Sequence, residues 1–195
     1  MVKDRLSASD WVKAAFRALT KGGLGAVRVE PIARDLGVSK GSFYWHFKDL
    51  PHLKAAMLET WRIAANEAVI ALVEQAAEEP RERLRHLIAQ VTSDIADEYG
   101  GAGVEAALRE WARYDAEVAR LISEMDRQRL DFVTSLFLAA GLPEAGAEQS
   151  ARQFYAALIG LEQLSPAQNR QREADLLALL ELLLRRQPAR VAVQR

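Results

Sequence analysis

Apolar residues recur at intervals of three and four through almost the whole chain, the mark of amphipathic helices, and no segment shows the alternation of a half-buried strand. Val12, Ala15, Phe16 and Leu19 form a first stripe, ended by Lys21-Gly22-Gly23, and Val29, Ile32, Ala33 and Leu36 form a second, ended by Gly37. Ser39 stands where a third helix needs its N-cap, and its hydroxyl is expected to accept a hydrogen bond from a first-turn amide. Phe43 and Phe47, four apart, share the inner face of that helix. Its outer sides carry Lys40, Gly41, Ser42, Tyr44, Trp45 and Lys48. Two short helices joined by Gly37-Val38-Ser39 read as a helix-turn-helix, with small Ala33 at the crossing and Val38 beneath the turn. The first helix completes a three-helix headpiece.

Asp49 caps a fourth helix, in which Leu53, Met57, Trp61, Ala64, Ala68 and Leu72 line up before Glu78-Glu79-Pro80. A fifth carries Leu84, Leu87, Ile88, Val91 and Ile95 and stops at Gly100-Gly101-Ala102-Gly103. A sixth carries Val104, Ala107, Leu108 and Trp111. The seventh starts near Asp115, uses Val118, Leu121, Ile122, Met125, Phe132, Val133 and Leu136, and ends at Gly141-Leu142-Pro143. In the last two helices, over 151–164 and 175–184, apolar residues spread beyond one stripe: Leu176, Leu179, Leu180 and Leu183 make one face, and Leu177 and Leu184 widen it. A helix apolar on more than one side needs two partners. One is its own subunit. The other is either the same surface of a second copy, giving a two-fold dimer, or further core of a monomer.

The outward set on the third helix suits a polyanion: lysines neutralise phosphates, hydroxyls bond phosphates or base edges, and aromatic rings meet sugars and thymine methyls. Gly41 in a first helical turn costs about 1 kcal/mol against Ala, which close approach to a DNA backbone would explain. Charge agrees, because residues 1–54 hold 10 Lys+Arg against 5 Asp+Glu and the remainder 16 against 22, so a net charge of −1 conceals a basic head on an acidic body. Zero cysteines exclude disulfides and thiolate chemistry. Three scattered histidines, no Gly-rich phosphate loop and dispersed carboxylates argue against an enzyme, a metal site or a cofactor. With no long apolar run and no apolar leader after Met-Val-Lys-Asp-Arg, the expectation is a soluble, cytoplasmic protein without a membrane partner.

The ordered run Ile32-Ala33-Arg34-Asp35-Leu36-Gly37-Val38-Ser39-Lys40-Gly41-Ser42-Phe43-Tyr44-Trp45-His46-Phe47-Lys48 resembles the DNA-binding domain of the TetR family of transcriptional regulators. The likeness covers about a quarter of the chain; the rest is similar in length and helical layout only. It implies an all-α protein of about nine helices: a helix-turn-helix DNA-binding domain over 1–48, an effector-binding and dimerisation domain over 49–187, and a loose tail over 188–195. It further implies a homodimer on double-stranded, pseudo-palindromic DNA, a repressor role, and release by a small-molecule effector. The DNA contacts it suggests are Arg28, Ser39, Lys40, Gly41, Ser42, Tyr44, Trp45, His46 and Lys48, with Tyr44 either on phosphate or packed on the headpiece and His46 structural first. Two positions depart from the pattern: Arg28 stands where Thr or Ser is usual, and Leu50-Pro51 replaces Lys-Glu, leaving Lys48 as the nearest substitute cation.

Effector candidates are Trp61, Trp111, Gln128, Arg129, Phe132, Phe154 and Tyr155, each equally readable as core. Gln128 or Arg129 interrupts an inward apolar stripe and needs a partner, which is a ligand, Glu110, Asp126 or water. Dimer candidates are Phe154, Leu158, Leu161, Leu176, Leu179, Leu180 and Leu183. His86, with Gln90, Asp94 and Asp97, reads as a solvated flank. Two rival readings stay open: a regulator governed by a protein partner or by no effector, and a helical interaction module.

Overall fold

A computed structural model describes residues 6–93, 99, 103–164 and 169–185. Ile95, Asp94, Asp97, Gly100-Gly101-Ala102 and the tail over 188–195 lie outside them. The described residues are helical and contain no strand: α1 (Ala8–Gly22), a 3-10 turn (Leu24–Ala26), α2 (Val29–Asp35), α3 (Lys40–Phe43), α4 (Leu50–Arg62), a π turn (Ile63–Glu67), α5 (Ala68–Ala76), α6 (Pro80–Val91), α7 (Val104–Ala112), α8 (Ala116–Ala139), α9 (Glu144–Leu164) and α10 (Asn169–Leu184). Helical residues run on from Leu50 to Ala76, so the expected fourth helix corresponds to α4, the π turn and α5 together.

The chain divides into two compact units, Met1–Glu67 with Asp94–Glu124 and Ala68–Ser93 with Met125–Arg195. α7 and the start of α8 therefore join the headpiece helices in the first unit, a grouping no composition shift announces. In that unit α1 is fixed at its start by a capping box: the Asp10 amide donates to Ser7 Oγ at 3.3 Å, and the Ser7 amide donates to Asp10 Oδ2 at 2.7 Å. The expected stripe of α1 is buried, but the buried face is wider and includes Trp11 and Ala14. Trp11 meets Phe43 edge to face at 5.3 Å, and Phe43 stacks on Phe47 at 5.6 Å. Val29, Ile32 and Ala33 of α2 are buried as expected, while Leu36 is only half-buried.

α2 ends in a Schellman turn. The Gly37 amide donates to Arg34 O at 3.1 Å and the Val38 amide to Ala33 O at 2.9 Å, with Gly37 at φ +68°. That left-handed backbone strains any residue with a Cβ, which explains glycine at the turn.

The stripe proposed for the fourth helix holds only for Leu53, Met57 and Trp61; beyond them Ala68 and Leu72 are exposed, and Asn66 and Val73 are buried instead. The π turn supplies the reason. One extra residue per turn advances the inward line from Trp61 to Asn66, and then to Val73, shifting the register by one position.

The core of the second unit joins Val73 of α5, Leu84, Leu87 and Ile88 of α6, Val133, Leu136 and Phe137 of α8, Leu142 of the turn that follows, Ala147, Ala151 and Phe154 of α9, and Leu176, Leu180 and Leu183 of α10. Phe137 and Phe154 meet edge to face at 6.3 Å. No described helix is long and apolar enough to cross a membrane.

Candidate nucleic-acid interface

The exposed edge of the headpiece is organised by what lies beneath it. Phe43 and Phe47 are buried, and so they orient the short segment that carries Lys40, Gly41, Ser42, Tyr44 and Trp45. Trp45 is 81% exposed and Tyr44 57%, the largest apolar surfaces of the first unit apart from Tyr114. A bare indole on a monomer's surface is unfavourable unless something covers it. Tyr44 also lies edge-on to Phe43 at 5.2 Å, so its ring is braced from the protein side while most of it faces outward.

Two features of α3 differ from expectation. The α-helix is four residues long, because the amides of Tyr44, Trp45 and His46 turn to carbonyls three residues back, at 3.3, 3.4 and 2.9 Å, before Phe47 returns to Phe43 O at 3.0 Å. Ser39 is the N-cap residue, yet its side chain makes no capping bond; its carbonyl takes the Ser42 amide instead, at 3.0 Å. Similarly, Arg28 is the N-cap of α2 without a side-chain cap. A Cβ built on Gly41 would meet only Ser39 Oγ, at 3.6 Å, an ordinary contact. Nothing inside the protein therefore demands glycine there.

Arg28, Lys40 and Lys48 are exposed. Lys40 is not unencumbered: its Nζ lies 2.5 Å from Glu30 Oε1 across the turn, with both side chains about half exposed. This bond pushes the Glu30 carboxyl below its ordinary range and raises the Lys40 ammonium above its own. Glu30 was absent from the sequence reading, since an ion pair ten positions apart follows no helical spacing. His52 was also missed. The Lys48 amide donates to its Nδ1 at 3.3 Å, its ring packs on Phe47 at 5.4 Å, and its own amide donates to Asp49 Oδ1 at 2.8 Å, capping α4. Pro51 fits this first turn because amides there need no helical partner. His46 is half-buried and close enough to Asp10 to help hold that carboxyl below its ordinary range, after the dominant Ser7 hydrogen bonds.

Residues 12–57 match the family described as "Bacterial regulatory proteins, tetR family". This stretch is a TetR-family DNA-binding domain. The comparisons support a transcriptional regulator carrying that domain, and the fold is shared over about nine-tenths of the chain, 90% of it in one case. A curated relative, the HTH-type transcriptional regulator TtgR of Pseudomonas putida, is 24% identical over 158 residues, covering 77% of this chain and 75% of that one. Solved structures with the same fold include a TetR-family regulator from Agrobacterium tumefaciens, with a TM-score of 0.74, 24% identity, and 90% and 96% of the two chains covered. Another is a regulator from Saccharomonospora viridis in complex with choline, with a TM-score of 0.72, 17% identity, and 89% and 95% covered.

The regulator's other candidate residues fall into both units. Trp61 and Trp111 are buried in the first. The Trp111 indole donates to Asp115 Oδ2 at 3.2 Å and lies 5.6 Å under Lys54 Nζ, whereas Trp61 Nε1 has no hydrogen-bond partner. Gln128, Arg129, Phe132, Phe154 and Tyr155 belong to the second. There the interrupted stripe of α8 finds its partners within the protein: Arg129 donates to Tyr155 Oη at 3.1 Å, and Tyr155 Oη donates to Asp126 Oδ1 at 2.6 Å. Glu110 is exposed and pairs with Arg113.

Of the residues expected to pair two copies, Phe154, Leu176, Leu180 and Leu183 sit in the subunit's own core, which leaves them no surface to offer. Leu176, Leu180 and Leu183 face inward on α10, and Phe154 on α9, because α5, α6 and α8 complete the apolar cover within one chain. Leu158, Leu161 and Leu179 are partly exposed, and Leu164 and Leu182 are 80% and 63% exposed.

Proposed function

We propose that this regulator binds a pseudo-palindromic operator as a homodimer, acts in the cytoplasm as a repressor, and is released by a small-molecule effector. The observation that carries the DNA half is the pairing of buried Phe43 and Phe47 with exposed Tyr44 and Trp45 in one turn, flanked by Arg28, Lys40 and Lys48. Those side chains suit phosphates and base edges, and Gly41, free of internal constraint, suits close approach of a backbone. The proposed contacts also include Ser39, Ser42 and His46.

One short segment reads only a few base pairs, and a symmetric pair reads two half-sites about 34 Å or more apart. The apolar surface at Leu158, Leu161, Leu164, Leu179 and Leu182 supports such a pair, since water-exposed leucines gain about 25 cal/mol for each Å² covered. An effector shifts the protein between two conformations only as far as it binds them unequally. Trp61, whose buried indole N–H lacks an acceptor, is the polar anchor that best fits such a ligand. The choline complex of a neighbour with the same fold supports this half by likeness of fold alone.

A second reading has its own support. Asp126, Arg129 and Tyr155 satisfy one another, so a regulator answering to a protein partner or to no effector needs no ligand at that point.

Sequencing the duplexes captured by the purified protein from a random pool tests the proposal, with a two-fold-related consensus as the expected result. Capture without sequence enrichment, together with a monomeric mass, would reject it. A thermal-shift screen of small molecules separates the two readings of the body, since a ligand that binds the folded form alone raises the midpoint.

A further inference from the structure

Glu30 sits in the first turn of α2, and its carboxylate holds the Lys40 ammonium at 2.5 Å across the helix-turn-helix. Lys40 opens α3 beside Ser42, Tyr44 and Trp45, so this ion pair lies on the face proposed to meet DNA. A lysine tied to a carboxylate presents no net charge to a phosphate. Where Arg17 and Asp35 pair on the same headpiece, at 2.8 Å, they join α1 to the end of α2 and involve none of the proposed contacts. Glu30 alone among the headpiece carboxylates is bonded to a cation of that face in the described structure.

We propose that Glu30 is an intramolecular competitor for DNA phosphate: it keeps Lys40 neutralised in loose, sequence-independent complexes and so limits the regulator's hold on random duplex. The inference rests on the DNA-binding reading above. Both partners are about half exposed, so the pair is labile enough for water and salt to screen it, as expected of an exchangeable contact rather than a structural clamp. Each phosphate neutralised adds about 0.9 to the slope of log affinity against log salt. Removing the competing charge should therefore show as one additional contact.

The experiment measures binding of a fluorescent random duplex by anisotropy over a salt series for wild type, Glu30→Gln, Lys40→Met and the double variant. Glu30→Gln should bind more tightly, with a slope steeper by about 0.9. With Lys40→Met as its reference, the double variant should show no such steepening, because the freed cation is then missing. Glu30→Ala, which also removes the hydrogen-bond acceptor, should behave as Glu30→Gln does, and thermal melts of all variants check folding. A Glu30→Gln slope equal to wild type overturns the inference, even if affinity rises, because general repulsion would then account for the change. A double variant that is steeper than Lys40→Met by the same amount overturns it too, because the gain would then not pass through Lys40. A wild-type protein indifferent to duplex at low salt instead overturns the DNA-binding reading beneath it.

Discussion

The headpiece and the last helix both place bulky apolar residues two positions apart on opposite sides, yet the two cases differ in what surrounds them. In the headpiece Phe43 is buried and Trp45 exposed, and the exposed ring has lysines, serine and tyrosine for neighbours. In α10 Leu180 is buried and Leu182 exposed, and the exposed leucine belongs to a helix with leucines on several sides. An apolar residue left in water thus acquires meaning from its company: beside cations and hydroxyls it suits a nucleic acid, and beside other aliphatics it suits a protein surface.

The comparison breaks most decisively at its buried members. Phe43→Ala removes the ring that Trp11 and Phe47 pack against, and should cost about 3–5 kcal/mol in urea unfolding; Leu180→Ala should cost about 2–5 kcal/mol. The exposed members should separate stability from function. Trp45→Ala should weaken operator binding by about 1–3 kcal/mol, roughly fivefold to 150-fold, while leaving the melting midpoint nearly unchanged. Leu182→Glu should spare the fold and lower the dimer fraction in sedimentation. A Trp45→Ala protein that melts early but binds normally would reverse the roles assigned to Phe43 and Trp45.

Gly41→Ala sharpens the contrast on a smaller scale. With space for a Cβ and a helical propensity gain of up to about 1 kcal/mol, the variant should be as stable as wild type or more so, yet bind DNA less well. The smallest effect concerns acid. Hydrogen bonds from Ser7 lower the Asp10 carboxyl below its ordinary 3.8, and bonds from the Val118 amide and then Trp111 lower that of Asp115. A carboxyl depressed in the folded state contributes stability that is present above its unfolded value and is lost as pH falls through the folded one. Asp10→Asn should therefore flatten the acid limb of the first unit's stability curve, measured by circular dichroism, and leave the neutral region with only the cost of a weakened cap.

Much of this architecture was legible because helix packing prints itself as spacing: the stripe of α1, Val29, Ile32 and Ala33 of α2, Leu84, Leu87 and Ile88 of α6 and the stop at Gly37 appear as they read, while Leu36 and Val91 are only half-buried. The TetR likeness was legible for the same reason, being a run of contiguous residues. Trp11 escaped because it lies at the edge of a buried face wider than the stripe. The shift from Ala68 and Leu72 to Val73 escaped because a π turn breaks the period without any glycine or proline to announce it. Glu30 and His52 act through contacts that no helical repeat encodes. At the carboxy-terminal end the leucine pattern spoke of two apolar sides, but only packing against α6, α8 and α9 could decide which leucines the chain keeps for itself.

Of the four tryptophans, Trp11, Trp61 and Trp111 are buried and Trp45 alone is open to water. The protein consequently carries an intrinsic optical reporter at the one position where it is most useful. Red-edge emission and acrylamide quenching should come chiefly from Trp45, so titrating duplex into unlabelled protein would reveal by fluorescence whether that indole becomes shielded.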